Sequence, residues 1–463
     1  MFTKETYIRR REELKKKIGS GMILLMGNGE APLNYPNNTY TFRQDSSFLY
    51  FAGLDTPDLY CVIDIDHNNE YLFGDELTID DIIWMGNLPS LKERSESVGI
   101  NTVLPVAELN GMVKAALKSG KKIHYLKPYR YRNQLILGEL LNKTITEIVA
   151  NHSLELTKSV IDLRLIKEDC ELVEMELAGE IGYRMHITAM KMCKPGVSER
   201  EIAGTIEGIA IAYGNRVSFP TILSQNGQIL HNHNHENILH RGRLMLTDAG
   251  AENTSYYASD FTRTIAVGGV YTQKQIDIHN IVLKAINTSI DMIRPEITYQ
   301  KIHREAYRVI FEGLKDLGLT KGDTEDALAN GAPALFMPHG LGHALGLDVH
   351  DMEDLGETLV GYDDEIQRST LFGYKSLRFG KKLKERHVLT VEPGIYFIPQ
   401  LIEKWKQENI NSDFINFNKL KDYYNFGGIR LEDDVVVTKD SCFPVYCNRL
   451  PITIDEIVET IQS

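Results

Sequence analysis

Pro338-His-Gly-Leu-Gly-His-Ala-Leu-Gly-Leu-Asp-Val-His350 gathers three of the chain's fourteen histidines, His339, His343 and His350, among the glycines Gly340, Gly342 and Gly346. Acidic residues in strand-like segments flank this stretch, with Asp248 and Asp260 upstream and Glu392 and Glu432 downstream. Carboxylates with one imidazole form a hard-to-borderline ligand set, which suits Mn²⁺ or Mg²⁺ better than the thiolate-rich setting of structural zinc. Four carboxylates around one ion leave excess negative charge in a buried place, whereas two ions sharing bridging carboxylates neutralise it. The pattern therefore predicts a dinuclear centre of hydrolytic chemistry, in which the ions lower the pKa of a shared water and polarise the carbonyl it attacks.

Side chains two apart on a strand share a face. In Val388-Leu-Thr-Val-Glu392 the glutamate ends a strand on the side of Val388 and Thr390, just before Pro393-Gly394. Arg430 and Glu432 share a face in Gly428-Ile-Arg-Leu-Glu432, bringing a guanidinium to a carboxylate. Asp248 precedes Ala249-Gly250 at another strand end, and Asp260 falls inside an expected return strand at 255–267. Helices are expected over 168–192, ended by Pro195-Gly196, and then from a Ser198-x-x-Glu201 capping box to Tyr213. A second helix pair near 272–293 and 299–317 precedes strands at 388–396 and 428–438. Helices followed by strands thus occur twice, an order that hints at a duplicated α+β unit, with no identity-level repeat between the halves. The polar, poorly periodic stretches 353–376 and 400–424 read as surface insertions.

A chain of 463 residues exceeds what one hydrophobic core usually serves, so two domains are expected. The first, residues 1–160, is α/β. It has a helix at 4–18, a strand at 22–26, strand-like segments at 40–51 and 60–65, a turn and a return at 70–73, a helix at 106–117 and a strand at 122–126. The amphipathic run from Glu168 opens the second domain, residues 161–463. Arg9, Arg10 and Arg11 with Lys15, Lys16 and Lys17 read as a solvated helix face. A net charge of −13 argues against nucleic-acid partners, which need basic patches to displace counterions. The apolar run 22–26 is too short for a membrane span or signal core, and five cysteines without a CxxC pair fit a reducing, cytoplasmic setting.

The order Asp248-Ala-Gly, Ser259-Asp-Phe-Thr-Arg-Thr264, His339-Gly-Leu-Gly-His343, Leu389-Thr-Val-Glu-Pro-Gly394 and Gly428-Ile-Arg-Leu-Glu-Asp-Asp434 resembles the pita-bread metallopeptidases. Within them it is most similar to the prolidase (Xaa-Pro dipeptidase) and aminopeptidase P branch. Phe42-Arg-Gln-Asp-Ser-Ser-Phe48 resembles the N-terminal domain of that branch, so the likeness covers nearly the whole chain. It implies an α+β pita-bread (creatinase/aminopeptidase-like) catalytic domain after the α/β domain. It further implies that Asp248 is a terminal ligand, that Asp260 and Glu432 bridge two Mn²⁺ ions, with Co²⁺ or Zn²⁺ as alternatives, and that His343 and Glu392 complete the set. Glu392 would also carry a proton to the leaving nitrogen, His231 and His350 would stabilise the oxyanion, His339 would shape a proline pocket, and Arg430 would orient Glu432 or contact substrate. The interval from Asp248 to Asp260 departs from the usual pattern by an insertion, expected in the turn near Asn253 to Tyr256. His231, His233 and His235 alternate, and a polar loop is expected there rather than a second metal site.

The substrates implied are short proline-containing peptides. A dipeptidase needs a cation for the free carboxylate after proline, and Arg378 in Ser376-Leu-Arg378 resembles the segment supplying it in prolidases. On this ground the expected activity is Xaa-Pro dipeptidase, with Xaa-Pro aminopeptidase on longer peptides as the alternative and a non-catalytic binding scaffold as the remote one. A homodimer is expected from the same likeness.

Overall fold

In a computed structural model describing residues 2–463, the chain forms two compact units whose boundary falls between Arg164 and Leu165. The first is built on a mixed five-stranded sheet. Its strands run, across the sheet, Thr102–Leu104, Asn69–Phe73, Tyr60–Asp64, Met22–Met26 and Ile123–Tyr125. Met22–Met26 pairs antiparallel with Tyr60–Asp64 and parallel with Ile123–Tyr125. The hairpin from Tyr60–Asp64 to Asn69–Phe73 turns at Asn68, whose φ of 51° is one that asparagine adopts readily. Leu24, Val62 and Phe73 pack against Leu109, Val113 and Leu137 of the covering helices.

Two expectations for this unit are corrected. The segment 40–51 does not form a strand: Ser46–Ala52 is a helix, because Asp45 accepts a bond from Phe48 N as an N-cap and Gly53, at φ 68°, ends it. Nor is the basic face of the Lys4–Ile18 helix solvated throughout, since Arg10, Arg11 and Lys15 are buried. The Arg11 guanidinium donates to Phe51 O at 2.8 Å, Val98 O at 3.0 Å and Glu70 Oε2 at 2.7 Å, so its burial is fully compensated by hydrogen bonds.

The second unit carries the helices Asp169–Met192, Glu199–Tyr213, Gln273–Met292 and Tyr299–Asp316. The first two cover the sheet of Ile222–Ser224, Leu244–Ala249 and Phe261–Ala266 through Met185, Ile206, Met245 and Ile265. Ser198 caps its helix by accepting from Arg200 N at 3.2 Å, in place of the reciprocal pair expected with Glu201. The return strand is shorter than 255–267, so Asp260 lies just ahead of it rather than inside it. Gly250 makes the hairpin possible, as a Cβ there would fall 1.8 Å from Ser259 O.

The long strands expected at 388–396 and 428–438 are each broken in two. Val388–Val391 pairs with Asp433–Val437, and Gly394–Tyr396 pairs with Gly428–Arg430. Proline cannot donate to a ladder, and the break at Glu392-Pro393 faces the break at Leu431-Glu432, with Leu431 N bonding Pro393 O at 3.3 Å. Two carboxylates are thereby delivered to one place by a kink. The stretches read as surface insertions are also more ordered than expected. Residues Glu353–Gly361 and Pro399–Gln407 are helical, the first interrupted at Gly356, and Leu355, Ile402 and Trp405 are buried. No helix among the described residues is long and apolar enough to cross a membrane.

Candidate metal centre

Segments distant along the chain converge on one cavity of about 610 Å³, lined among others by Phe219, Leu230, His231, His339, His350 and Arg378. Asp248, Asp260, His343, Glu392, Arg430 and Glu432 also line it. The hairpin register Asp248↔Thr262 holds Asp248 beside the start of the return strand. Asp260 is placed by its own backbone, whose N–H donates to Asp434 Oδ2 at 2.9 Å. The segment bearing His343 docks against the strand bearing Glu392, through Thr390 N to His343 O at 3.0 Å and Glu392 N to Leu341 O at 2.8 Å. Gly342 permits this approach, because a Cβ there would lie 2.1 Å from Thr390 O.

Ligand atoms of Asp260, His343 and Glu432 lie within 4.8 Å of one another, all three residues being buried, and so can hold a metal ion. His343 Nδ1 sits 3.1 Å from Ala344 O, so the ring donates there and turns Nε2 inward, 3.4 Å from Asp260 Oδ2 and 3.9 Å from Glu392 Oε1. Asp248 Oδ2 accepts from Arg430 Nη2 at 2.5 Å, while its Oδ1 and that of Asp260 are buried with no hydrogen-bond partner among the described residues. Buried carboxylate oxygens left unpaired are costly unless a cation meets them.

Electrostatics point the same way. Burial and the neighbouring charges of Glu432 and Asp248 hold the Asp260 carboxyl well above its ordinary range. Glu432 is raised by burial and by Glu392, and Glu392 is pushed up to about 8 by burial despite Arg430. Burial lowers His343 well below its usual value and takes His339 to about 3, so both imidazoles are neutral acceptors near pH 7. An oxygen-rich, negatively crowded nest with a neutral imidazole fits divalent cations, which would return these carboxyls to the ionised state.

Around the nest the chain supplies an ordered polar frame that sequence reasoning only partly found. Arg430 Nη1 donates to Tyr396 Oη at 2.7 Å, and Tyr396 Oη lies 2.9 Å from His339 Nε2. Arg430 Nε donates to Thr262 Oγ1 at 3.1 Å, and that hydroxyl donates to Glu432 Oε2 at 2.7 Å. Arg430 thus reaches Glu432 through Thr262, while its direct carboxylate partner is Asp248. Tyr396 and Thr262 were not anticipated. One signal existed for the tyrosine: Gly428 pairs with it, and a Cβ at Gly428 would fall 2.4 Å from its ring.

His339 Nδ1 stands 3.7 Å from Glu392 Oε2, and the His350 ring lies 3.9 Å, centroid to centroid, from that of His343. His231 and His233 line the cavity, whereas His235 is taken up by Leu223 O at 3.0 Å. Their loop is tied at both ends by the buried Glu199, whose carboxylate accepts from Gln225 N at 2.7 Å and Asn237 Nδ2 at 2.9 Å. Arg378 lines the cavity too, with Nη1 donating to Glu353 Oε2 at 2.7 Å and Glu357 Oε2 at 3.1 Å. Glu353 and Glu357, inside a stretch read as a surface insertion, were missed.

The chain was compared with known proteins. The profile of metallopeptidase family M24 matches residues 173–439, and that of the aminopeptidase P N-terminal domain matches residues 7–125. A probable Xaa-Pro aminopeptidase of Aspergillus fumigatus is 33% identical over 440 residues, covering 91% of this chain and 88% of that protein. The Xaa-Pro dipeptidase of Homo sapiens is 30% identical over 463 residues, covering 96% and 90%. Among solved structures, aminopeptidase P from Escherichia coli with the inhibitor Pro-Leu superposes with a TM-score of 0.81 at 28% identity, covering 100% of this chain and 98% of that one. The expected pita-bread fold behind an aminopeptidase P-type N-terminal domain is therefore present. With its buried carboxylate nest inside the matched region, this chain belongs to metallopeptidase family M24 and is a metallopeptidase.

Proposed function

We propose that this chain is a Xaa-Pro aminopeptidase, releasing the residue that precedes proline from short peptides by means of two divalent ions. The observation that carries the hydrolytic reading is the nest itself, in which buried carboxylates crowd one neutral imidazole beneath an open cavity. Asp248, Asp260, His343, Glu392 and Glu432 would hold the ions, with Mn²⁺ the first candidate and Co²⁺ or Zn²⁺ alternatives. When bound, such ions supply Lewis acidity that acidifies water and polarises a carbonyl.

The chain's own residues do the rest. Glu392, on the cavity side of the nest and 3.7 Å from His339 Nδ1, is placed to accept a proton at a carboxylate oxygen and return it to the leaving proline nitrogen. His231 and His350 line the cavity where donors to a developing oxyanion belong. His339, held between Gly340 O and Tyr396 Oη, presents a fixed neutral face for a proline ring. Arg430 offsets part of the nest's charge and orients Asp248.

The sequence favoured a dipeptidase on the strength of Arg378. That preference is replaced here, because the A. fumigatus and E. coli aminopeptidases support the longer-peptide reading, and the human dipeptidase is the reason to keep the other in view. A homo-oligomer is part of the proposal, supported by the helix Ile79–Met85, none of whose side chains is buried and whose Trp84 is 85% exposed. A cytoplasmic setting is supported by five cysteines that form no disulfide among the described residues. The test is a pair of assays on the Mn²⁺-loaded protein with Ala-Pro-Ala and Ala-Pro. The expected result is a larger kcat/KM for the tripeptide, and the reverse order would restore the dipeptidase reading.

A further inference from the structure

Among the described residues, Arg378 is the one arginine or lysine lining the cavity besides Arg430, and its charge is already answered. Its Nη1 is shared by Glu353 Oε2 at 2.7 Å and Glu357 Oε2 at 3.1 Å. Glu357 also pairs through its other oxygen with Arg368, so two carboxylates and two guanidiniums form a set of zero net charge. The set is not a loose surface array: the Glu353 and Glu357 side chains are 20% and 29% exposed, and Glu353 Oε1 is buried without a hydrogen-bond partner among the described residues. Glu353 Oε2 additionally receives His350 Nδ1 at 3.1 Å, which leaves Nε2 of that ring for the cavity.

A peptide ending at proline brings a carboxylate to the cation it needs. At Arg378 that carboxylate meets two others at hydrogen-bond range of the same guanidinium, and like charges so placed repel strongly in a partly buried site. A peptide continuing past proline brings a neutral amide instead, which a neutralised guanidinium can meet without that repulsion. Glu353 and Glu357 come from the segment Glu353–Gly361, which is interrupted at Gly356, where φ is 126°, and both acidic side chains reach the same Nη1 of Arg378.

We propose that Glu353 and Glu357 are specificity-determining residues that neutralise Arg378 and so select proline peptides that continue beyond proline over those ending there in a free carboxylate. The proposal rests on the Xaa-Pro reading of the site, which gives the carboxylate its place. Glu353 has a second effect as a positioning residue, since it fixes the His350 ring. Glu357, which touches Arg378 and Arg368 but no histidine, separates the two effects.

The experiment compares Ala-Pro with Ala-Pro-NH₂, substrates that differ in the terminal charge, on the Mn²⁺-loaded wild type, Glu357→Gln and Glu353→Gln. In Glu357→Gln the ratio of KM for Ala-Pro to KM for Ala-Pro-NH₂ falls about tenfold from its wild-type value. Glu353→Gln shows the same fall in the ratio together with a loss of kcat on both substrates, through His350. In the double variant Glu357→Gln, Arg378→Gln the change in ratio disappears, because it acts through Arg378. Thermal unfolding of each variant confirms folding, and a second conservative change, Glu357→Asp, keeps the wild-type ratio. A ratio unmoved by folded Glu357→Gln, or one that still falls without Arg378, overturns the proposal. Failure of the aminopeptidase reading is distinct: it appears in the wild type alone, as faster cleavage of Ala-Pro than of Ala-Pro-Ala, whichever way the variants move. If the wild type cleaves no Xaa-Pro substrate, both fall together.

Discussion

Chelating the divalent ions should leave the carboxylate nest to its own repulsion, and pH sets how much stability that removes. Glu392 is raised from an ordinary 4.5 to about 8 in the folded chain. Below pH 4.5 the group is protonated whether folded or unfolded and costs nothing. As pH rises toward 8 the unfolded chain ionises while the folded chain must keep its proton, so the unfolded state binds fewer protons and stability falls with rising pH. At about 1.4 kcal/mol for each pH step between the two values, the loss reaches an order of 4 kcal/mol by pH 8. Asp260 and Glu432, raised for the same reason, add to it in the same direction. For a unit of this size about 2 °C of Tm accompanies each kcal/mol, so the metal-free protein should melt about 8 °C lower at pH 8 than at pH 5 from this source. Bound cations favour the ionised carboxylates, and the loss should largely vanish in excess Mn²⁺. The assay is thermal unfolding across that pH range in EDTA and in Mn²⁺, taking the difference between the two curves. A difference that does not widen with pH would refute the reasoning.

Two substitutions probe the frame. Arg430→Ala removes the donor to Asp248 and Tyr396 and leaves buried carboxylates without their nearest cation. It should cost about 3–5 kcal/mol in urea unfolding of the metal-free protein, and a loss under about 1 kcal/mol would deny Arg430 that part. Gly342→Ala drives a methyl group toward Thr390 O and should cost about 1–3 kcal/mol while weakening metal binding by moving His343 off the strand that bears Glu392. An unchanged metal affinity would show that the close approach at Gly342 does not position His343.

How much of this was legible without coordinates depended on the range of the interaction. Asp248, Asp260, His343, Glu392 and Glu432 stand beside glycine, proline or other motif residues at strand ends, so their neighbours along the chain advertise them. The helix pairs were legible for the same reason, since 3.6-residue periodicity is local. The break after Glu392 was signalled by Pro393-Gly394, whereas the one at Leu431-Glu432 carries neither proline nor glycine, and only the pairing partner reveals it. Arg11 read as solvent-facing because its partners, Phe51 O, Val98 O and Glu70, lie far along the chain. The helix at Ser46–Ala52 was hidden by its aromatic, strand-favouring composition, which the Asp45 cap overrides. Glu353 was lost for both reasons, sitting in a polar stretch with partners in His350 and Arg378.

The central claim is that the nest binds two divalent ions as one unit, and metal stoichiometry tests it most directly. Purified protein stripped with EDTA, equilibrated with Mn²⁺ near pH 7.5 and analysed for bound metal should hold two ions per chain. Asp260→Asn, altering the carboxylate proposed to bridge, should lose both rather than one. Bound metal of one ion or none in the wild type, or a single ion retained by the Asp260→Asn protein, would contradict the account.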